Sequence, residues 1–115
     1  MGEKMAELEI NENSTSEELE SIAIALYGII GLPITMRSKN HKGVRIEGSK
    51  VVDYNYTGEY LEEGLKTGNI IHGLAKNGPY KDMPVIVSPI KNKAGKTIAV
   101  IGAVNLSGFI DLARF

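Results

Sequence analysis

The chain has 115 residues, of which 43% are hydrophobic and 23% charged, and its formal net charge at pH 7 is −1. This length predicts one domain with a single modest core, and the nearly neutral charge gives no electrostatic reason to expect binding to nucleic acid or an anionic membrane. The sequence contains no cysteine, which excludes disulfides, thiolate nucleophiles and cysteine-based zinc sites.

The N-terminal segment is acidic and has no clear apolar periodicity. We therefore predict a flexible acidic arm at residues 1–13 and a single α+β domain at residues 14–115. An acidic start is the opposite of a basic export signal, and the apolar run at residues 22–34 is too short to span a bilayer. These features predict a cytoplasmic protein without a membrane segment.

The first helix is predicted where an apolar stretch follows two overlapping capping boxes, Ser14 with Glu17 and Thr15 with Glu18. It should end near Ile30, because the next residue is a glycine suited to a left-handed cap and a proline follows soon after. Its apolar residues spread around the cylinder, so more than one side of the helix should be covered.

A homodimer is predicted from this broad apolar surface. We expect Ile22, Leu26 and Ile29 to pack on the sheet, while Ile24 and its neighbours meet a second copy of the chain. The residues assigned to the dimer interface are Ile22, Ile24, Leu26 and Ile29.

The middle of the chain predicts short strands and a second helix. The strands lie at residues 34–38, 44–47 and 50–54. The second helix should begin around Thr57-Gly58 and end at Gly68. The short apolar run Ile70–Ala75 fits either a strand or a helix, and the glycines that bound it favour a strand.

The segment Met83–Asn105 predicts a hairpin of two apolar strands, with Gly95 where the turn requires a positive φ. Its second strand, Thr97–Val104, has no charge, so both of its faces should be covered. Residues 108–115 predict a short terminal helix. Together, the elements predict an antiparallel sheet of about five strands with helices packed mainly on one face.

The C-terminal hairpin also carries a family resemblance. An apolar strand at residues 84–90, a Gly-Lys turn at 94–96 and an apolar strand at 98–104 that ends in small residues precede a polar helix start. This pattern resembles the closing hairpin of PAS, GAF and Cache sensory domains, whose profilin-like relatives include the roadblock dimerisation proteins. The whole chain also resembles an uncharacterised domain family of methanogenic archaea. The resemblance implies a sensory fold with no fixed catalytic residues.

Candidate ligand-binding residues are polar and aromatic side chains near the second helix. The tyrosines around Thr57-Gly58 combine apolar area with a hydroxyl, and alternation predicts Tyr54 and Tyr56 on one face; simple packing is the alternative. A histidine within an apolar segment either contacts a ligand or is a hydrogen-bonded structural residue. The pocket is expected between the second helix and the sheet face that bears Ser88 and Asn105. The predicted ligand-binding residues are Tyr56, Tyr60, His72, Ser88 and Asn105.

Two further features have competing interpretations. Gly102 and its small neighbours either leave space for a ligand or allow a helix to pack closely. The basic stretch from Arg37 to Lys50 either binds an acidic group or is a solvated hairpin, and it lacks the interleaved aromatic residues of a nucleic-acid platform. The spacings of a catalytic triad, a phosphate loop and a metal site are absent, so no catalytic residue, metal or cofactor is predicted.

We therefore expect a non-enzymatic sensory module that binds a small metabolite and signals through dimerisation or a protein partner. Two alternatives stay open. A roadblock-like dimeric scaffold without a ligand predicts a closed interior. A small enzyme that uses His72 and the tyrosines predicts a cleft that converges on His72.

Overall fold

The structure, a computed structural model, describes residues 9–104 as an open antiparallel sheet with two helices. The helices are α1 (Ser16–Ile30) and α2 (Glu59–Thr67). The strands are β1 (Ile34–Ser38), β2 (Gly43–Glu47), β3 (Lys50–Tyr56), β4 (Ile71–Leu74), β5 (Pro84–Lys91) and β6 (Thr97–Val104). The α+β class is confirmed. The sheet has six strands instead of about five. Each of the three short early strands forms one, and the ambiguous Ile70–Ala75 run forms another. The expected terminal helix lies outside the described residues.

The strand order is β3-β2-β1-β6-β5-β4, and every neighbouring pair is antiparallel. β6 lies between β1 and β5, which explains why its sequence has no charge. The β5–β6 turn contains Gly95 at φ 85°, as the hairpin prediction requires. The central position of the uncharged strand is therefore confirmed.

α1 begins and ends where its sequence signals predict. Thr15 and Glu18 form the capping box: the Glu18 N–H donates to the Thr15 hydroxyl at 3.2 Å, and the Thr15 N–H donates to the Glu18 carboxylate at 2.8 Å. Ser14, the alternative cap, is buried and accepts a hydrogen bond from the Asn11 N–H at 2.9 Å. Gly31 adopts the left-handed conformation at φ 76° and ends the helix.

α1 covers the β1–β3 half of the sheet. Its buried residues Leu19 and Ala23 pack in one core with Ile34 and Met36 of β1. Neighbours along a strand point to opposite faces, so Thr35 between these two residues faces away from α1.

α2 covers the opposite face, on the β4–β6 half. It buries Leu61 against Val87 and Val100. Gly102, which pairs with Thr35, faces α2, because a Cβ built on it would lie 3.1 Å from a Leu61 methyl and 3.3 Å from a Val87 methyl. Directly opposed residues of an antiparallel pair share a face, so the two helices lie on opposite faces.

The expectation that the helices pack mainly on one face is therefore wrong. α2 connects β3 at one edge of the sheet to β4 at the other edge, so the chain must cross the sheet there. α1 already occupies one face, and the crossing on the free face covers the apolar side of β5 and β6. Among residues 9–104, no helix is long and apolar enough to cross a membrane.

Irregular pairing in β3 separates two of the predicted tyrosines. The register between β2 and β3 shifts on both sides of Arg45, and a bulge of this kind breaks the simple alternation of side chains. The Tyr54 hydroxyl donates to Glu20 of α1 at 3.0 Å, whereas Tyr56 lines the α2 side. The expectation that Tyr54 and Tyr56 share a face is wrong for this reason.

The last residues of the predicted acidic arm contact the domain. The Asn40 N–H donates to the Glu12 carbonyl at 2.9 Å, and the Asn40 side chain donates to Asn13 at 2.7 Å. Glu12 also lies 3.1 Å from the ammonium of Lys96 in the β5–β6 turn. These contacts join residues 9–13 to two turns at one end of the sheet.

Candidate functional site

A cavity of about 90 Å³ opens between the start of α2, the sheet face below it and the β4–β5 loop, residues 75–83. Its floor is apolar and its walls carry aromatic and hydroxyl groups. The floor is formed by Leu61, Val85, Val87, Gly102 and Val104, and the aromatic wall by Tyr56, Tyr60 and Tyr80. This combination of an apolar body with a few polar groups is typical of small-molecule sites.

The β4–β5 loop is held by its own backbone. The Ala75 N–H donates to the Met83 carbonyl at 3.0 Å, and the Asp82 N–H donates to the Ala75 carbonyl at 2.8 Å. Gly78 turns the chain at φ 78°. These bonds fold the loop back over the sheet, so that Tyr80 is buried within an otherwise exposed segment.

Tyr80 anchors this loop to β2. Its hydroxyl donates to a Glu47 carboxylate oxygen at 2.9 Å, and Arg45 Nη1 donates to the same oxygen at 2.6 Å. The Arg45 guanidinium carbon lies 5.9 Å from the centroid of the Tyr80 ring and 5.8 Å from that of Tyr56, within cation–π range. Burial, together with the Glu47 carboxylate, raises the pKa of Tyr80 above its usual value, so the phenol stays protonated and donates.

Tyr80 was not predicted from the sequence as part of the site. The signal available in the sequence was an aromatic residue directly after the turn-forming residues Asn77-Gly78-Pro79. A fully solvated loop gains nothing from an aromatic side chain at this position. Such a residue indicates a loop that packs back on the domain.

Arg37 joins α2 to β1. The residue is only 8% exposed, and its Nη1 donates to the Thr57 hydroxyl at 3.0 Å and to Glu62 of α2 at 3.3 Å. Its Nε and Nη2 donate to the carbonyls of Ser38 and Lys39, each at 2.9 Å. The interpretation of the basic stretch as a solvated hairpin is therefore wrong for Arg37, whose charge is used inside the fold.

Tyr60 closes the cavity on the β4 side. Its hydroxyl donates to the Leu74 carbonyl at 2.9 Å, and a Cβ built on Gly73 would lie 2.7 Å from that hydroxyl. Glycine at this position is therefore what lets the ring lie across β4. Tyr56 stands on the other side, where burial raises the pKa of its phenol above the usual value.

The predicted ligand-binding residues are only partly brought together. Tyr56 and Tyr60 line the cavity. His72 and Ser88 are exposed and lie on the face opposite to α2, and Asn105 lies outside the described residues. The expected pocket between α2 and the Ser88 face is wrong, because α2 covers the other face of β5. Within residues 9–104, no three His, Asp or Glu side chains gather as a metal site would require.

Polar groups of β1 and α2 lie beside the cavity. Thr35 lines it and is 6% exposed. Gly58, the residue before α2, provides no side-chain cap, so the N–H groups of residues 59–61 have no partner in the described part of the chain. Glycine at position 102 lets the Thr35 side chain lie close to β6, since a Cβ built there would lie 2.6 Å from the Thr35 hydroxyl. Gly102 therefore permits close packing, and it also lines the cavity.

The residues assigned to the dimer interface differ in exposure. Ile22, Ile24 and Leu26 are half-buried and pack against the core under α1. Ile29 is 82% exposed, so the expectation that it packs on the sheet is wrong. It follows the buried Ala23 by six positions, which rotates it about 120° from the buried side of the helix.

Two comparisons relate this chain to archaeal proteins. Residues 26–107 match the family described as "Uncharacterized protein conserved in archaea (DUF2111)". The chain is also 41% identical over 102 residues to "Uncharacterized protein MJ0405" of Methanocaldococcus jannaschii, and the alignment covers 88% of this chain and 77% of that protein. The range matched by the family contains every residue that lines the cavity.

Proposed function

We propose that this chain, which belongs to the archaeal DUF2111 family, is a non-enzymatic regulatory module that binds a small molecule in the cavity beside α2. The observation that carries the proposal is the cavity itself, whose apolar floor is bordered by Tyr56, Tyr60 and Tyr80 and by the anchored β4–β5 loop. An apolar pocket with a few polar groups in its wall is the usual form of a small-molecule site.

The hydrogen bonds that the cavity's side chains already make within the protein favour a binding role over a catalytic one. The hydroxyls of Tyr60 and Tyr80 are already bound to the Leu74 carbonyl and the Glu47 carboxylate. Thr57 is held between Arg37 and Glu62 in the same way. These groups fix the walls, and His72 lies away from the cavity, so this arrangement favours binding over the small-enzyme alternative.

The size of the cavity suits a compact ligand or the compact end of a larger one. Its volume is about 90 Å³. An engineered apolar cavity of roughly 150 Å³ holds benzene, so the enclosed part of a ligand here should be smaller than a benzene ring. The open interior also favours the ligand-binding module over a scaffold with a closed core.

Signalling would run through β1, which lies between the cavity and α1. Thr35 faces the cavity, while its neighbours Ile34 and Met36 pack beneath α1. A ligand that moves Thr35 therefore also moves the residues on which α1 rests. We place a homodimer contact on the outer side of α1, where Ile29 is 82% exposed.

A thermal-shift screen of small metabolites at fixed ionic strength tests binding, with Thr35→Val as the matched variant. Valine keeps the shape of the threonine and removes its hydroxyl. We expect some compounds to raise the Tm of the wild-type chain, and to bind the variant about tenfold more weakly because one hydrogen bond is lost. No response from the wild type, or an equal response from the variant, would contradict the proposal.

Sedimentation of Ile29→Lys tests the dimer. We expect the wild type to sediment as a dimer and the variant as a monomer, because a charge replaces an apolar contact. Ile70→Lys is the control, since Ile70 is 57% exposed and lies before β4, away from α1. A wild-type chain that sediments as a monomer would contradict the proposed dimer. A dimer that persists in Ile29→Lys and is unaffected by every ligand would favour the roadblock-like scaffold.

A further inference from the structure

We infer that the β4–β5 loop, residues 75–83, is a lid over the cavity, which Tyr80 holds closed against β2 and which opens to admit the ligand. This inference rests on the proposed function and specifies how access to that site is controlled. It depends on the position of the loop, on the single side chain that holds it and on an unpaired group that opposes its closed position.

The loop borders both the cavity and the solvent. Residues 75–80 line the cavity, whose other walls are the start of α2 and the floor formed by the sheet. Of the loop residues 75–83, Tyr80 alone is buried, and the others are half-buried or exposed. Loops in this position commonly close over a bound molecule and move aside when it enters.

One side chain holds the loop to the rest of the domain. The backbone hydrogen bonds that join Ala75 to Met83 and Asp82 lie within the loop. In the part of the chain that the structure describes, the one side-chain hydrogen bond from the loop to another element is that from the Tyr80 hydroxyl to Glu47, at 2.9 Å. Once this bond breaks, the loop can swing as a unit about its base, where β4 and β5 end their pairing.

An unpaired group beside Tyr80 opposes the closed position of the lid. Arg45 Nε is buried and has no hydrogen-bond partner within residues 9–104. The guanidinium lies beside the rings of Tyr56 and Tyr80, with its carbon 5.8 and 5.9 Å from their centroids. A buried N–H without a partner is unfavourable, and water gains access to the guanidinium when Tyr80 withdraws. The closed lid therefore carries a cost that the open lid does not, which reduces the free-energy difference between them.

The strand that holds Tyr80 also supports α1. Arg45 and Glu47 alternate along β2 with Val44 and Ile46, which are buried in the core under α1. Neighbours along a strand point to opposite faces, so β2 contacts Tyr80 on one face and α1 on the other. The state of the lid can thus reach α1 through β2, in addition to the route through β1.

Alkylation of a cysteine in the cavity measures the opening of the lid without a ligand. The chain has no cysteine, so Thr35→Cys introduces a single thiol. Position 35 lines the cavity and is 6% exposed. Iodoacetamide is the probe, and when the lid closes faster than the thiol reacts, the rate is proportional to the open fraction. We expect Tyr80→Phe to raise this rate about tenfold, because the ring is kept and one hydrogen bond to a carboxylate is lost.

Two controls separate the opening of the lid from unfolding of the domain. Val44→Cys places the thiol in the core under α1, where unfolding is needed to expose it. Low concentrations of urea should speed alkylation at position 44 and leave position 35 nearly unchanged, since the opening of a loop exposes little surface. Tyr54→Phe removes a similar bond, from the Tyr54 hydroxyl to the Glu20 carboxylate, and should keep the rate at position 35 within about twofold.

Three results would overturn the lid. Ser88→Cys, exposed on the face opposite to α2, gives the rate of an accessible thiol, and an equal rate for Thr35→Cys would show that the cavity is open without movement of the loop. Equal effects of Tyr80→Phe and Tyr54→Phe on position 35 would show that Tyr80 does not hold the loop. An equal response of positions 35 and 44 to urea would show that exposure requires unfolding. These rates involve no ligand, so failure of the lid is distinguished from failure of the proposed function, which the thermal-shift screen measures.

Discussion

α1 and α2 cover opposite faces of one sheet, and their first turns differ. The N–H groups at the start of α1 are served by Thr15 and Glu18 from the same chain. Those at the start of α2 follow Gly58, have no side-chain cap and line a cavity. The difference indicates that the first turn of α1 is completed by its own side chains, whereas that of α2 is not.

The two helices also approach the sheet differently. α1 buries Leu19 and Ala23 against large apolar residues. α2 approaches through Gly64, where an added Cβ would lie 2.9 Å from a Val87 methyl and 3.1 Å from a Val100 methyl. The body of α2 is therefore pressed onto the strands, and open space remains only near its first turn.

The largest effect should come from Arg37, the polar connection between α2 and β1. Arg37→Met keeps most of the bulk but removes the donors to Thr57, Glu62 and two carbonyls. We expect the free energy of unfolding to fall by about 2–3 kcal/mol, a range set by charge-assisted bonds to a partly exposed partner. Urea denaturation measures it, and Lys39→Met is the exposed control. A loss below about 0.5 kcal/mol, the level of an ordinary surface change, would contradict this role.

The same substitution in the two helices should have opposite signs. Gly64→Ala forces a methyl against β5 and β6, so we expect a loss of about 1–3 kcal/mol despite the better helix propensity of alanine. Gly28→Ala in α1 meets nothing within 4 Å and should stabilise the chain by up to about 1 kcal/mol. Urea denaturation of both variants measures the two changes in the free energy of unfolding. Equal effects would mean that α2 does not approach the sheet more closely than α1.

The cap of α1 should matter by an intermediate amount. Thr15→Ala removes the acceptor for the Glu18 N–H and should cost about 1 kcal/mol of unfolding free energy. Thr15→Ser retains the hydroxyl and serves as the control. Thermal denaturation of both variants measures the difference. If alanine is as stable as serine at this position, the first turn of α1 does not depend on its own cap.

The smallest effect should be a pH dependence due to Tyr80. Burial and the Glu47 carboxylate raise its pKa in the folded chain, whereas an unfolded tyrosine titrates near about 10. Its contribution is therefore fully present below about pH 10 and is lost as pH rises toward the folded-state pKa. The stability of Tyr80→Phe should decline less steeply above about pH 10, because it lacks this group. Urea midpoints measured across that range test this, and identical slopes would contradict it.

The sequence was sufficient to predict those parts of the fold that depend on residues close together in the chain. The capping box at Thr15, the left-handed glycines Gly31 and Gly68 and the hairpin around Gly95 are local signals, and each predicted element lies where expected. The lack of charge in β6 also identified a central strand, because an edge or half-solvated strand would carry polar residues on one side.

The face that α2 covers could not be predicted, because it depends on how the chain crosses the sheet. Alternation places Val87 and Ser88 on opposite faces of β5, but only the three-dimensional path of α2 shows which of the two it covers. The predicted site therefore combined Tyr56 and Tyr60, which line the cavity, with His72 from the other side. Arg37 and Tyr80 were missed as organising residues, since their partners are distant in sequence.

A ¹H–¹⁵N spectrum recorded with and without a compound that raises the Tm tests the site beside α2 directly. If the compound binds in the cavity, the amides of residues 59–61 and of Gly102 shift in proportion to occupancy, while those of residues 16–18 at the start of α1 keep their positions. Equal shifts at both helices, or shifts at α1 alone, would show that the compound does not bind beside α2.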